Sequence, residues 1–237
     1  MQEGYGERGL ALAPAEALDA VEGAKGLAHG SPVPHGSPPA HGSPLPPASP
    51  VAHGSPVPHW HAILTGWRGA GKTTWCQALV EEAQRRGWQV AGLLSPAVYE
   101  RDAAPGAERT KVRIDLVDVG TGERRVLATP AAPSGDGSSG AAPSAEGAHR
   151  LRWRFDEAAV AWGNDVLARA GDADLVVIDE LGPMEFTYGG GFSEGLALLD
   201  GGRFRAAVVV IRPELVDTAL ARWPGAVILR PPEWRGD

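Results

Sequence analysis

The chain has 237 residues and a formal net charge of −7, enough for one or two domains. The acidic balance argues against binding nucleic acid through a basic field. Cys76 is the only cysteine, which excludes an internal disulfide and a cysteine-based zinc site and fits a reducing, cytoplasmic setting.

Residues 1–59 read as a low-complexity tail. Weak Ala/Leu/Glu helical character runs from Leu10 to Leu27. From His29 a hexapeptide repeats, His-Gly-Ser-Pro-Val-Pro at 29–34 and again at 53–58, with variants at 35–40 and 41–46. A proline-rich repeat this short buries no core and favours an extended, disordered linker. Six of the seven histidines lie at or beside this tract. Metal capture by them is the weaker reading beside a linker grown by repeat slippage, because spaced imidazoles without fixed geometry hold metals loosely. The N-terminus carries Glu3, Glu7, Arg8, Pro14 and Glu16 and does not read as a signal peptide. No stretch approaches the roughly 18 consecutive apolar residues of a membrane span.

The folded domain is expected over 60–237. Residues 60–65 read as a short buried strand, and 74–86 as a helix with Cys76, Leu79, Val80 and Ala83 on one apolar face. Between them stands Gly66-Trp67-Arg68-Gly69-Ala70-Gly71-Lys72-Thr73, with Thr74 following. This is the spacing G-x-x-x-x-G-K-[ST] of a phosphate-binding loop, in the strand–loop–helix setting that the motif needs. Glycines let successive N–H groups converge on a phosphate. Lys72 is placed to reach the β- and γ-phosphates, and the Thr73 hydroxyl to ligate Mg²⁺. The chain holds three lysines, Lys25, Lys72 and Lys111, and one fills the required slot. For Trp67, core packing or a lid is the preferred reading over base stacking.

Residues 88–94 read as a second strand, completing a βαβ unit. Residues 99–110 read as a loop, 112–127 as a β-hairpin turning at Gly120-Thr121-Gly122, and 130–149 as a disordered insert rich in Ala, Pro, Ser and Gly. A helix is expected over 156–170, with Asp156 as its N-cap and Gly171 as its stop. The apolar run 175–178 reads as a strand buried on both faces, ending in Asp179-Glu180. Helices at 192–199 and 213–223 and strands at 206–211 and 226–229 complete the pattern. Alternating strands and helices indicate a three-layer α/β domain with a mostly parallel sheet.

A strand that delivers a carboxylate to its carboxyl end beside a phosphate loop is a Walker B pattern. Asp179 is the expected Mg²⁺ partner with Thr73, and Glu180 the group that polarises water for attack on the γ-phosphate. Arg212, just past the strand 206–211, is placed at the sheet rim to stabilise charge at the γ-phosphate, and Arg68 is a second candidate for that task. Glu185 is expected to support the site through hydrogen bonds. No Asn-Lys-x-Asp guanine-reading motif is present.

The stretch Asp179-Glu180-Leu181-Gly182-Pro183-Met184-Glu185-Phe186 resembles the D-E-x-G-x-M-E signature of a small nucleoside-triphosphatase family, known from thermophiles and, in animals, as cancer-related nucleoside triphosphatase. The segment 90–96 and the hairpin 112–127 are compatible with that family. The resemblance implies a RecA-like P-loop fold and Mg²⁺-dependent hydrolysis of ATP, GTP and other triphosphates. Departures are Arg68 where the family commonly has Pro, Trp75 where it has an aliphatic residue, the 130–149 insert and the N-terminal tail. Two other readings stay open: a P-loop kinase acting on a small acceptor, and a nucleotide-dependent switch or assembly module.

Overall fold

The computed structural model describes residues 9–27, 60–100, 110–131 and 153–232, with no side-chain detail for 24–27. The expected repeat linker from His29 to His59 and nearly all of the 130–149 insert lie outside these residues.

The strands are β1 (Leu10–Ala11), β2 (Trp60–Leu64), β3 (Val90–Leu94), β4 (Ala97–Tyr99), β5 (Lys111–Asp118), β6 (Arg124–Pro130), β7 (Trp153–Phe155), β8 (Leu175–Leu181), β9 (Ala206–Ile211) and β10 (Val227–Arg230). The helices are α1 (Pro14–Leu27), α2 (Lys72–Arg85), α3 (Glu157–Ala168), α4 (Pro183–Phe186), α5 (Ser193–Gly201) and α6 (Val216–Arg222), the last preceded by a 3₁₀ turn at Pro213–Leu215. All ten strands form one sheet in the order β1-β10-β2-β9-β8-β3-β5-β6-β7, with β4 paired to β5. The pairs from β1 to β3 are parallel, and those among β3 to β7 antiparallel. The result is a mixed α/β P-loop fold with a parallel half and a hairpin half.

Period-two alternation in the parallel strands sends side chains to opposite faces of the sheet. Ile63, Val176, Ile178, Val209 and Ile211 pack against Trp162, Leu167, Leu199 and Val216 of the α3–α5–α6 layer. Leu64, Val177, Val208 and Val210 pack against Leu79 and Ala83 of α2 and Leu18 of α1. Helix α2 buries the four positions its periodicity marks, Cys76, Leu79, Val80 and Ala83, and Trp75 with them. Burial raises the Cys76 thiol pKa well above its ordinary value, so the thiol stays protonated and packs as an apolar group. Asp156 caps α3 as expected, accepting the Ala159 N–H at 2.9 Å.

The expectation that residues 1–59 form a tail fails for residues 9–27, which belong to the fold. Strand β1 extends the sheet beside β10, pairing Leu10 with Leu229. Glu16 caps the start of α1 by accepting the Ala13 N–H at 2.7 Å. Ala17, Leu18 and Val21 are buried against α2. The Trp75 indole donates to Leu12 O at 2.8 Å. Arg86 joins Asp19 (2.7 Å), Glu22 (3.3 Å) and Glu82 (2.8 Å). Leu18 is only 1% exposed, so Leu18→Ala is expected to cost about 2–4 kcal/mol by deleting buried methyls and leaving a cavity. A urea midpoint equal to wild type would show instead that this segment does not fold onto α2.

Smaller corrections have local causes. Tyr99 closes strand β4 rather than opening a loop, and residues 101–109 lie outside the described residues. Pro130 ends β6 rather than starting the insert. The last helix opens as a 3₁₀ turn at Pro213–Leu215, a common start for an α-helix, with the expected proline at its head. No helix among the described residues is long and apolar enough to cross a membrane.

Candidate functional site

The loop 66–71 leaves β2 and enters α2 with Gly66 at φ 153°, Gly69 at 85° and Gly71 at 80°. These positive values are what let the backbone wrap a phosphate, and glycine adopts them without the penalty a side chain would incur. Gly71 caps α2 in the left-handed conformation with no side-chain bond to the first-turn N–H groups. The positive end of a 14-residue helix is therefore presented towards the loop. Lys72 Nζ donates to the carbonyls of Gly66 (2.6 Å) and Trp67 (2.9 Å). Burial lowers the Lys72 pKa, against the pull of Glu180 and Asp179, while Arg212 adds to the lowering. Trp67 is 50% exposed. That exposure removes core packing from the two roles expected of it and leaves the lid.

Strand β8 carries the acidic pair through a bulge. Ile178 pairs with Val209 and Leu181 with Ile211, so Asp179 and Glu180 share the space opposite Val210. Glu180 takes up the extra residue at φ 90°, a conformation costly for a side chain. The bulge sends the two carboxylates to different surroundings. Asp179 is buried, accepts the Ser95 N–H at 3.1 Å and is hydrogen-bonded by Thr73. Burial raises the Asp179 pKa, which the Ser95 and Thr73 hydrogen bonds oppose. A carboxylate beside a hydroxyl supplies the hard oxygen donors that Mg²⁺ takes, and a cation there would offset the cost of burying the charge. Glu180 is more open and pairs with Arg212 Nε. The structure thus brings Lys72, Thr73, Asp179, Glu180 and Arg212 near one another.

Beyond the bulge, α4 turns the chain back, and Glu185 ties the turn together. Its buried carboxylate accepts the N–H groups of Gly182 (2.7 Å) and Phe192 (2.8 Å). The expected supporting role is therefore met by backbone bonds, not by contact with the loop. Glu185→Ala would strand two donors, each at about 1–3 kcal/mol if it stays buried. We expect a loss of about 2–5 kcal/mol in chemical denaturation; a loss under about 1 kcal/mol would mean water replaces the carboxylate.

Sequence reasoning passed over Lys111 and Ser95. Lys111 lies within electrostatic reach of Arg68 and Glu180. Ser95 acts through its backbone, for which the residue type gives no signal. A cleft of about 390 Å³ lined by Val126, Ala128, Arg154 and Phe155 lies at the other edge of the sheet and contains none of these groups.

A family model described as NTPase matches residues 61–214, well over half of the chain. The chain is 34% identical over 126 residues to the nucleoside-triphosphatase THEP1 of Ignicoccus hospitalis, a match covering 53% of this chain and 61% of that protein. It is 29% identical over 124 residues to the protein of the same name from Pyrococcus abyssi, covering 52% and 59%. These alignments span about three fifths of the relatives' length. The fold is similar to the solution structure of a human cancer-related nucleoside triphosphatase, with a TM-score of 0.50 and 18% identity over 72% of this chain and 88% of that one.

Proposed function

We propose, from the premise that this chain belongs to the NTPase family, that its site hydrolyses nucleoside triphosphates to diphosphate and phosphate with Mg²⁺. The observation that carries the reading is the β8 bulge, which separates the jobs of two neighbouring carboxylates: one buried beside Thr73, one open at the rim. The roles that follow rest on this geometry and on the general chemistry of phosphoryl transfer. Backbone N–H groups of residues 66–74 cradle the phosphates, and Lys72 leaves its loop carbonyls to meet the β- and γ-phosphates. Thr73 and Asp179 are the groups that would hold Mg²⁺, which when bound neutralises charge on the phosphate oxygens. Glu180 orients a water and takes its proton as it attacks the γ-phosphorus. Arg212 gives up its pairing with Glu180 and turns its guanidinium to the charge developing on the transferred group. In the ligand-free state the Arg212–Glu180 pair keeps each charge compensated.

The test is phosphate release by the purified full chain from a panel of triphosphates, with and without Mg²⁺, beside Lys72→Ala. Release that needs Mg²⁺ and falls by about 100-fold or more in Lys72→Ala supports the reading, since this lysine neutralises charge where it develops. Nucleotide binding with no release above Lys72→Ala removes it. Transfer to an added small acceptor would favour a kinase, and release only with a protein partner a switch.

A further inference from the structure

Lys111 is one of the chain's three lysines, and the mechanism above gives it no task. Its position follows from strand register. Strands β3 and β5 run antiparallel, with Leu94 opposite Val117. Past that point Asp115 N donates to Pro96 O at 3.0 Å, and β4 then accompanies β5, with Ala97 opposite Ile114 and Tyr99 opposite Lys111. The early part of β5 therefore overhangs the carboxyl end of β3. From Val117 back to Lys111 this overhang is about 20 Å of strand at roughly 3.3 Å per residue. It leans over the edge where ligands of α/β sheets bind.

Strand β7 supports the overhang. Pro130 pairs with Trp153, and Lys111 Nζ lies 5.8 Å from the centre of the Trp153 ring. The ring's face attracts a cation and limits where the ammonium rests. The charges facing Lys111 are Arg68, in the middle of the phosphate loop, and Glu180, on the bulge. Burial lowers the Lys111 pKa, Arg68 adds to the lowering, and Glu180 opposes it. The overhang past the carboxyl end of β3 puts Lys111 on the ligand edge of the sheet, on the Glu180 side, where the proposed function places the γ-phosphate. A further anion entering here would meet two cations, Arg68 and Lys111, beside the Glu180 carboxylate. A triphosphate brings such an anion to this place, and a diphosphate does not reach it.

We propose that Lys111, carried on the β5 overhang, contacts the γ-phosphate beside Arg68 and makes the site prefer triphosphates over diphosphates. This rests on the nucleotide-site reading above and adds a specificity residue to it. The site would then hold the γ-phosphoryl group from two sides, Lys72 from the loop and Lys111 from the hairpin. Loss of the γ-phosphate would release the hairpin side first and favour departure of the diphosphate.

The experiment is equilibrium binding, with Mg²⁺, of a non-hydrolysable triphosphate analogue and of the matching diphosphate to full-length wild type, Lys111→Met and Lys111→Arg. Methionine keeps the apolar stem over Trp153 and removes the charge. Loss of a charge-assisted contact should weaken triphosphate binding by about tenfold or more and leave diphosphate binding within about twofold. Arginine should restore most of the difference. Unchanged triphosphate affinity in Lys111→Met, or an equal loss for both nucleotides, overturns the proposal. Retained diphosphate binding also shows that the variant is folded. Wild type that binds the triphosphate but releases no phosphate defeats the hydrolase reading and leaves this one standing.

Discussion

Glu180→Gln keeps nucleotide affinity and loses turnover by about 10²–10⁴-fold, the usual contribution of a positioned general base. Glutamine has the same shape, and its carbonyl oxygen still accepts from Arg212 Nε. It cannot take a proton. The pair it weakens is roughly half exposed on the arginine side, so stability should change by less than about 1 kcal/mol. The same position permits a sharper contrast. Glu180 stands at φ 90°, where glycine is at ease, so Glu180→Gly should also lose turnover yet gain stability, by about 1 kcal/mol. A chain that becomes more stable as it becomes inactive identifies the strain as part of the site. Phosphate release and equilibrium binding, measured on the same preparations, decide the matter. Near-normal release from Glu180→Gln with binding intact removes Glu180 from the mechanism.

The parts of this site that were legible in the sequence are those encoded locally. The phosphate loop declares itself because its geometry needs glycine at fixed positions and a lysine at one more. The β8 strand declares itself because a strand buried on both faces must be a continuous apolar run, so the break at Asp179-Glu180 stands out. Even there, the bulge itself was not visible. It depends on the register of β8 against β9, a relation between positions some thirty residues apart.

What the sequence concealed depended on distant partners. Helix α1 carries few large apolar residues, mostly alanine beside Leu18, Val21 and Leu27, and adjoins a proline-rich repeat, so its helical signal is weak. Its place becomes clear only when Leu12 O meets the Trp75 indole and Arg86 meets Asp19. Trp75, a departure when compared with family pattern alone, acquires a reason there: its indole needs the acceptor that β1–α1 brings. Strands β4 and β7 are three residues each, too short for alternation to register, and exist because β5 and β6 offer free edges. Lys111 was unremarkable for the same reason. Nothing within its own segment indicates that β5 outruns β3 and carries it over the loop.

The second large effect concerns stability and arises at Gly92, where β3 lies against β8. Gly92 pairs with Val177 at φ 120°. A Cβ built there would stand 2.0 Å from Val177 O and 2.9 Å from both Val177 C and N. These are backbone atoms of a fully buried residue in a central strand, so no side-chain rotation relieves the contact. Gly87 supplies the comparison: its φ is 78°, and nothing lies within 4 Å of a Cβ there. Gly87→Ala should cost only the conformational penalty, about 1–2 kcal/mol. Gly92→Ala adds the collision and should cost more than about 4 kcal/mol, in the range that unfolds marginal domains. Urea denaturation of the two variants side by side measures the difference; midpoints corresponding to within about 1 kcal/mol of each other would show that β3 can shift freely against β8. The site would register such a shift as well, because Val177 lies two residues before Asp179 and Ser95 follows β3. Any displacement between the strands separates Ser95 N from Asp179 Oδ2, now 3.1 Å apart. Whatever fraction of Gly92→Ala remains folded should therefore hold Mg²⁺-nucleotide more weakly than Gly87→Ala does.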